Sequence, residues 1–250
     1  MLYKTEGIVL KSIEYEEADK IVTIYSKNFG KIQAIAKGVR KTKSKFGSSL
    51  EILTYAIFLI YKGRNVDIIS QTEILESFFS TSREVVKFAF AANCVEIVDK
   101  LTEERETNIG LFNLLKEVLH YLRKTNDPKL LTLSFRWQVM SILGYKPSLH
   151  HCCRCDKTIN DQKEVYFNIK EGGVICHNCI SKNKEGCIQI SLYFLKLSRK
   201  LLITPLSVIS KATIPDIRIK ELEKITNLFL TYYSEKRFKT ETFLKSLKKD

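Results

Sequence analysis

The stretch Ile52-Leu53-Thr54-Tyr55-Ala56-Ile57-Phe58-Leu59-Ile60-Tyr61, the breaker Lys62-Gly63-Arg64-Asn65 and the run Val66-Asp67-Ile68-Ile69-Ser70-Gln71 predict two strands joined by a tight connection. β-Branched and aromatic residues fill both runs, and the segment between them holds the glycine and asparagine that turns favour. Toward the N-terminus the same composition recurs in Gly7–Lys11, Lys20–Tyr25 and Lys31–Ala36, separated by Asn28-Phe29-Gly30 and Lys45-Phe46-Gly47-Ser48-Ser49. Five short strands with no helix of normal length between them predict a small closed β-barrel of the first eighty residues, because closure removes exposed strand edges. The competing arrangement is an open antiparallel sheet docked on later helices.

Beyond residue 80 the apolar period changes from two to between three and four. Val85, Phe88, Ala89, Ala92, Val95 and Ile97 form one such series. Leu111, Leu114, Leu115, Val118 and Leu122 form a second, and Leu131, Phe135, Val139, Ile142 and Leu143 a third. Each predicts an amphipathic helix. Asp127-Pro128 supplies a cap and a first-turn proline for the third, and Gly144 with Pro147 ends it. Further helices are expected at about 191–203, ended by Pro205, and at about 216–237; the basic tail Lys245–Asp250 is expected to fray. The expected fold class is therefore mainly α with an N-terminal small β-barrel. Its two domains are 1–80, for nucleic-acid binding, and 81–250, an α-helical domain with a four-cysteine insertion at about 148–187.

Lys and Arg number 41 against 28 Asp and Glu, a formal charge of +13. A surplus of this size favours a polyanionic partner over an acidic one. Its densest part is Lys20–Leu50, with eight basic residues and no acidic one. Within it Lys37, Arg40, Lys41, Lys43 and Lys45 crowd a segment with Gly38 and Gly47 near its ends, which suits a basic loop following a phosphate backbone without reading bases. Lys27, between the second and third strands, and Lys31, at the start of the third, join these candidates. The plain alternative is a solvated loop. Tyr25, Phe29, Tyr55 and Phe58 could stack bases, but those in strands alternate like core residues. Glu14, Glu16, Glu17 and Asp19 lack histidines to complete a metal centre and read as a turn. A second basic region is 181–250, with the clusters Lys196, Arg199, Lys200 and Lys236, Arg237, Lys239.

Cys152-x-x-Cys155 and Cys176-x-x-Cys179 are two knuckles of the kind that deliver four thiolates to one structural zinc per chain. Such a site has no position open to a catalytic water. Gly172-Gly173 fits a tight hairpin leading into the second knuckle. Cys153 offers a neighbouring thiol, though only Cys152 keeps the two-residue spacing to Cys155, and His150, His151 and His177 leave a three-cysteine, one-histidine set open. Cys94 and Cys187 read as ordinary packed side chains. No phosphate-binding glycine loop, nucleophile elbow, zinc-protease helix or dinucleotide fingerprint occurs, so an enzyme is not expected. The opening residues carry no apolar leader and no run is long enough to cross a bilayer, which with reduced cysteines predicts a cytoplasmic protein without a membrane partner. Two competing classes are an RNA-binding protein of translation or RNA handling and a zinc-dependent enzyme.

Gly7-Ile8-Val9-Leu10, Glu17-Ala18-Asp19-Lys20-Ile21-Val22, Ala36-Lys37-Gly38-Val39-Arg40-Lys41 and Ser44-Lys45-Phe46-Gly47, followed by helices and the paired cysteine knuckles, resemble the RecO family of bacterial DNA-repair and recombination-mediator proteins. The resemblance spans nearly the whole chain; the extra Cys153 departs from it. It implies an OB-fold at the N-terminus and a zinc-binding insertion in a helical remainder. It also implies binding of single- and double-stranded DNA, annealing of complementary strands, and action at the nucleoid. The implied partners are RecR, single-strand-binding protein through its C-terminal tail, and indirectly the RecA recombinase.

Overall fold

The computed structural model describes residues 1–41, 44–78, 84–160 and 164–246, with no side-chain description at 245 and 246. The N-terminal strands are β1 (Leu2–Tyr15), β2 (Asp19–Ser26), β3 (Gly30–Ala36), β4 (Thr54–Tyr61) and β5 (Asp67–Ser77). Antiparallel ladders join β1 to β2, β2 to β3, β4 to β5 and β4 back to β1, where Leu2 opposes Tyr61 and Ile8 opposes Tyr55. Pairing therefore runs β1-β2-β3-β5-β4 and returns to β1. Val9, Val22, Ile24, Ile32, Ala34, Ala36, Ala56, Phe58, Ile60 and Ile69 fill the interior, joined by Phe46 just before the turn Gly47–Leu50 and by Leu50 within it. At Gly7 a Cβ would stand 2.4 Å from Ile24 Cγ2, so β1 and β2 approach this closely only with glycine there.

Eight helices follow among the described residues: α1 (Val85–Leu101), α2 (Ile109–Leu122), α3 (Pro128–Ile142), α4 (His177–Ile180), α5 (Leu192–Ile203), α6 (Leu206–Ile209), α7 (Asp216–Ser234) and α8 (Lys239–Ser246). Their starts follow from capping chemistry. Asn108 Oδ1 accepts the Leu111 N–H at 2.9 Å ahead of α2, Asp127 Oδ1 accepts that of Leu130 at 2.9 Å ahead of α3, and Ser191 Oγ accepts that of Phe194 at 3.0 Å ahead of α5. The Glu96 carboxylate does the same for α8, taking the N–H groups of Lys239 and Thr240 at 2.8 and 2.9 Å.

The expected fold class, mainly α with a small OB-fold β-barrel and an α-helical C-terminal domain, is corrected by strands in the C-terminal half. The chain is mixed α/β. A second antiparallel sheet lies among the later helices, with β6 (Val165–Asn168) between β7 (Gly173–Cys176) and β8 (Cys187–Ile190). The hairpin of β6 and β7 is the one expected from Gly172-Gly173, whereas β8, four residues long, shows too little alternation to be read from sequence. The N-terminal sheet closes on itself, and its narrowest seam is the one between β3 and β5. β3 and β5 meet only in two parallel pairs, Ala34 with Asp67 and Ile35 with Ile68, whereas every other seam is a long antiparallel ladder.

Two compact units result: residues 1–124 with 238–250, and residues 125–237. The first holds the N-terminal sheet with α1, α2 and α8. There Asp67 is an ionic hub, its side chain 3% exposed, accepting from Tyr3 O–H, from the Arg105 guanidinium and from the Gly63 N–H at 3.1 Å. The second unit packs Trp137, Phe167, Phe194 and Phe229 together, with ring centroids 5.3–6.1 Å apart. No helix among the described residues is long and apolar enough to cross a membrane.

Candidate metal centre and nucleic-acid interface

Cys152, Cys155, Cys176 and Cys179 converge, their sulfurs all within 4.8 Å of one another. The first knuckle is a turn in which Cys152 N–H donates to Lys157 O and Asp156 N–H donates to Cys152 O, both at 2.9 Å. Asp156 takes the left-handed conformation that lets the chain reverse there. Cys176 ends β7, and the single turn α4 carries Cys179 back over it. Backbone bonds at 2.9 Å from Val174 N–H to Ser148 O and from Cys153 N–H to Val174 O fix the first knuckle against β7. The hairpin turn before β7 uses Gly172 at φ +76°, and at Gly173 a Cβ would stand 2.3 Å from Ser148 O.

Tetrahedral metal–thiolate bonds of about 2.3 Å place sulfurs about 3.8 Å apart. Cys155 Sγ and Cys176 Sγ are 3.7 Å apart, so the residues fit such an ion. Burial opposes ionisation of Cys152, but N–H donation from Cys176, Arg154 and Cys155 outweighs it and brings that thiol down to about 7. Cys179 moves the other way, pushed up to about 12 by hydrogen bonding to Cys155, by burial and by the other two thiols. Four soft donors leave a tetrahedral ion no open position, so the cluster can hold structure together but offers no site for turnover.

Cys153 lies outside the cluster, its sulfur against Gly173. The histidines lie outside it too: His151 Nδ1 faces Asp156 O at 3.2 Å and His177 Nδ1 faces Glu164 at 2.9 Å. Arg154, inside the first knuckle, was not singled out from sequence. Its guanidinium grips Glu171 at 2.6–3.1 Å and donates to Cys179 O at 3.1 Å and Asn183 O at 2.7 Å, tying the two knuckles to each other. Arginine two residues after a ligating cysteine was the one available signal. Arg199, read as part of a basic surface, instead donates to Leu149 O and Ile159 O at 2.7–2.9 Å and anchors the module to α5.

In the N-terminal unit the basic candidates divide. Lys37, Lys41 and Lys45 are exposed and form no ion pair with described residues; Lys45 lies 5.2 Å from the Phe46 ring. Arg40 is also exposed and pairs with Glu14 at 3.3 Å. Lys43 lies outside the described residues. Lys27 is held by Glu6 at 3.1 Å, and Lys31 by Asp99 at 3.6 Å. The acidic turn is a brace for this loop: Asp19 Oδ1 accepts the Gly38 N–H at 2.8 Å and Ala18 O accepts the Arg40 N–H at 3.0 Å. Of the aromatic candidates, Tyr25, Tyr55 and Phe58 are buried, the first two against Phe112, and Phe29 packs on Tyr3. Phe29 alone of these rings is half-buried.

Two family models match the chain. Residues 1–78 match the family described as recombination protein O, N terminal, and residues 83–242 match recombination protein O, C terminal. Over 237 residues the chain is 34% identical to the DNA repair protein RecO of Alkaliphilus metalliredigens, covering 94% of this chain and 95% of that protein. The RecO protein of Shouchella clausii is 33% identical over 249 residues, covering 100% and 96%. That of Bacillus mycoides is 31% identical over 249 residues, covering 100% and 99%.

Proposed function

The chain belongs to the recombination protein O family, and we propose that it meets DNA through the Lys37–Lys45 loop. Its role is that of a DNA-repair recombination mediator and not of an enzyme. The observation that carries the loop assignment is the contrast among its lysines: Lys37, Lys41 and Lys45 keep their charge open to solvent, while Lys27 and Lys31 are held by carboxylates. Open cations release counterions when they meet phosphate, which gives binding without sequence preference.

Zinc is the ion assigned to Cys152, Cys155, Cys176 and Cys179, one per chain, on the strength of four thiolates at tetrahedral spacing. When bound it supplies folding energy to the module, and the chain's own residues do the rest: Arg154 links the knuckles and Arg199 docks them on α5. On the same reading the protein binds single- and double-stranded DNA and anneals complementary strands. It acts with RecR and single-strand-binding protein, serves the RecA recombinase indirectly, and works in the cytoplasm at the nucleoid. Family membership supports these roles.

Mixing two complementary labelled oligomers with the zinc-loaded protein and no nucleotide tests the reading. Annealing faster than in protein-free buffer, with DNA favoured over RNA of the same sequence, is expected. A rate equal to the protein-free value, or preference for RNA, would overturn it.

A further inference from the structure

We infer that the unit formed by residues 125–237 carries its own contact surface for single-stranded DNA, an aromatic platform of Tyr145, Tyr232 and Tyr233 edged by Lys146, Lys170 and Lys236. The inference rests on the DNA-binding role above and assigns that role a second surface. Gly144, at φ +90°, turns the chain out of α3, and Tyr145 N–H donates to Met140 O at 2.8 Å, which fixes where its ring begins. Tyr232 and Tyr233 lie in the last turn of α7. Tyr233 is central: its ring centroid is 5.4 Å from that of Tyr145 and 5.2 Å from that of Tyr232, with Phe229 behind it at 4.6 Å. Its hydroxyl donates to Lys170 O at 3.4 Å, and a Cβ at Gly172 would stand 2.8 Å from the Tyr233 hydroxyl oxygen. The hairpin turn leading to the second cysteine knuckle thus abuts the central ring, and the metal module sets one edge of the platform.

Tyr145 and Tyr232 are 44% and 47% exposed, contiguous with each other through Tyr233. Lys146 follows Tyr145, Lys170 supplies the carbonyl that Tyr233 meets, and Lys236 lies three residues past Tyr233; all three are exposed and form no ion pair with described residues. Of the carboxylates nearby in the chain, Glu171 is engaged by Arg154, while Glu235 is exposed. Rings open to stacking beside unpaired cations are the two ingredients that hold a single strand irrespective of sequence. A duplex keeps its bases stacked inside and would leave the rings unused, and an apolar peptide would leave the lysines unused.

The test uses full-length, zinc-loaded protein and fluorescence anisotropy with an oligothymidine and an abasic oligomer of equal length. Replacing Tyr145→Ala and Tyr232→Ala together should weaken oligothymidine binding about 10-fold or more, since each stacked base is worth ~1–3 kcal/mol. Tyr145→Phe with Tyr232→Phe should bind like the parent. On the abasic oligomer the parent and the alanine variant should bind alike. Parental affinity of the alanine variant for oligothymidine would overturn the inference, and so would an equal loss on both oligomers. Retained binding by that variant together with loss in a Lys37→Ala, Lys41→Ala, Lys45→Ala variant would leave the loop reading standing; retained binding in both would remove the two together. Should the alanine variant misfold, photocrosslinking the unaltered protein to bromodeoxyuridine oligomers decides the matter: adducts on Tyr145 or Tyr232 are expected, and adducts confined to residues 1–124 would overturn the inference.

Discussion

Lys37, Lys41 and Lys45 project from a loop whose backbone is braced at its start by Asp19 and Ala18, whereas the four cysteines sit in a module where strand pairing, turn glycines and the Arg154 guanidinium all converge. The loop presents charge and needs no fixed geometry to neutralise a phosphate backbone. The module presents donors that function only within a few tenths of an ångström. Bulk charge tolerates an adaptable support, and coordination chemistry does not. Losses in the module should accordingly be structural and steep, and losses in the loop graded and salt-dependent.

The largest effect is expected for Cys176→Ser. Zinc content by native mass spectrometry should fall from one per chain to none, and hydrogen exchange over residues 148–187 should rise sharply, because ligand binding and local folding are one equilibrium. Full zinc occupancy in that variant would break the comparison. Arg154→Gln comes next. It keeps all four thiols but removes the link between Glu171, Cys179 O and Asn183 O, and should lower zinc affinity about 10-fold in a chelator competition. An unchanged affinity would show that the backbone alone positions the knuckles.

How much of this was legible in the sequence depended on the length of the pattern. The five N-terminal strands and helices α1, α2, α3, α5 and α7 each repeat their period several times and stop at a recognisable cap or breaker, such as Asp127-Pro128 or Gly144. β6, β7 and β8 hold four residues each; the hairpin of β6 and β7 was legible only through its turn glycines, and β8 repeats nothing long enough to see. The cysteine spacing was legible because coordination demands it; spacing favoured Cys152 over the adjacent Cys153, and the sulfurs that converge are those of Cys152, Cys155, Cys176 and Cys179. The basic loop was legible only as composition. Which lysines stay open depends on Glu6 and Asp99, partners distant in sequence, and no local pattern announces that Lys27 and Lys31 are taken. The tyrosine platform joins positions 145 and 232–233, which only the packing of α3 against α7 brings together.

A smaller effect, confined to acid, is expected at Asp67. Burial raises the cost of its charge, but donation from Tyr3, Arg105 and the Gly63 N–H outweighs this and holds the carboxyl below its usual value. A folded-state value below the unfolded one contributes stability that is fully present above the unfolded value and is lost as pH falls through the folded one. Asp67→Asn should therefore cost roughly 1–3 kcal/mol at neutral pH and flatten the decline in melting temperature below about pH 4. An acid profile identical to the parent's would show that the hub contributes no linkage.

The salt dependence of single-stranded DNA binding in paired variants tests the account's central claim most directly, that open cations of the loop and not the held ones meet phosphate. Lys37→Ala, Lys41→Ala and Lys45→Ala together should lower the magnitude of the slope of log K against log salt by about 2, near 0.7 for each phosphate no longer neutralised. Lys27→Ala with Lys31→Ala should leave the slope at the parent's value. Equal slopes for the loop variant and the parent, or a fall only in the Lys27, Lys31 variant, would contradict the account.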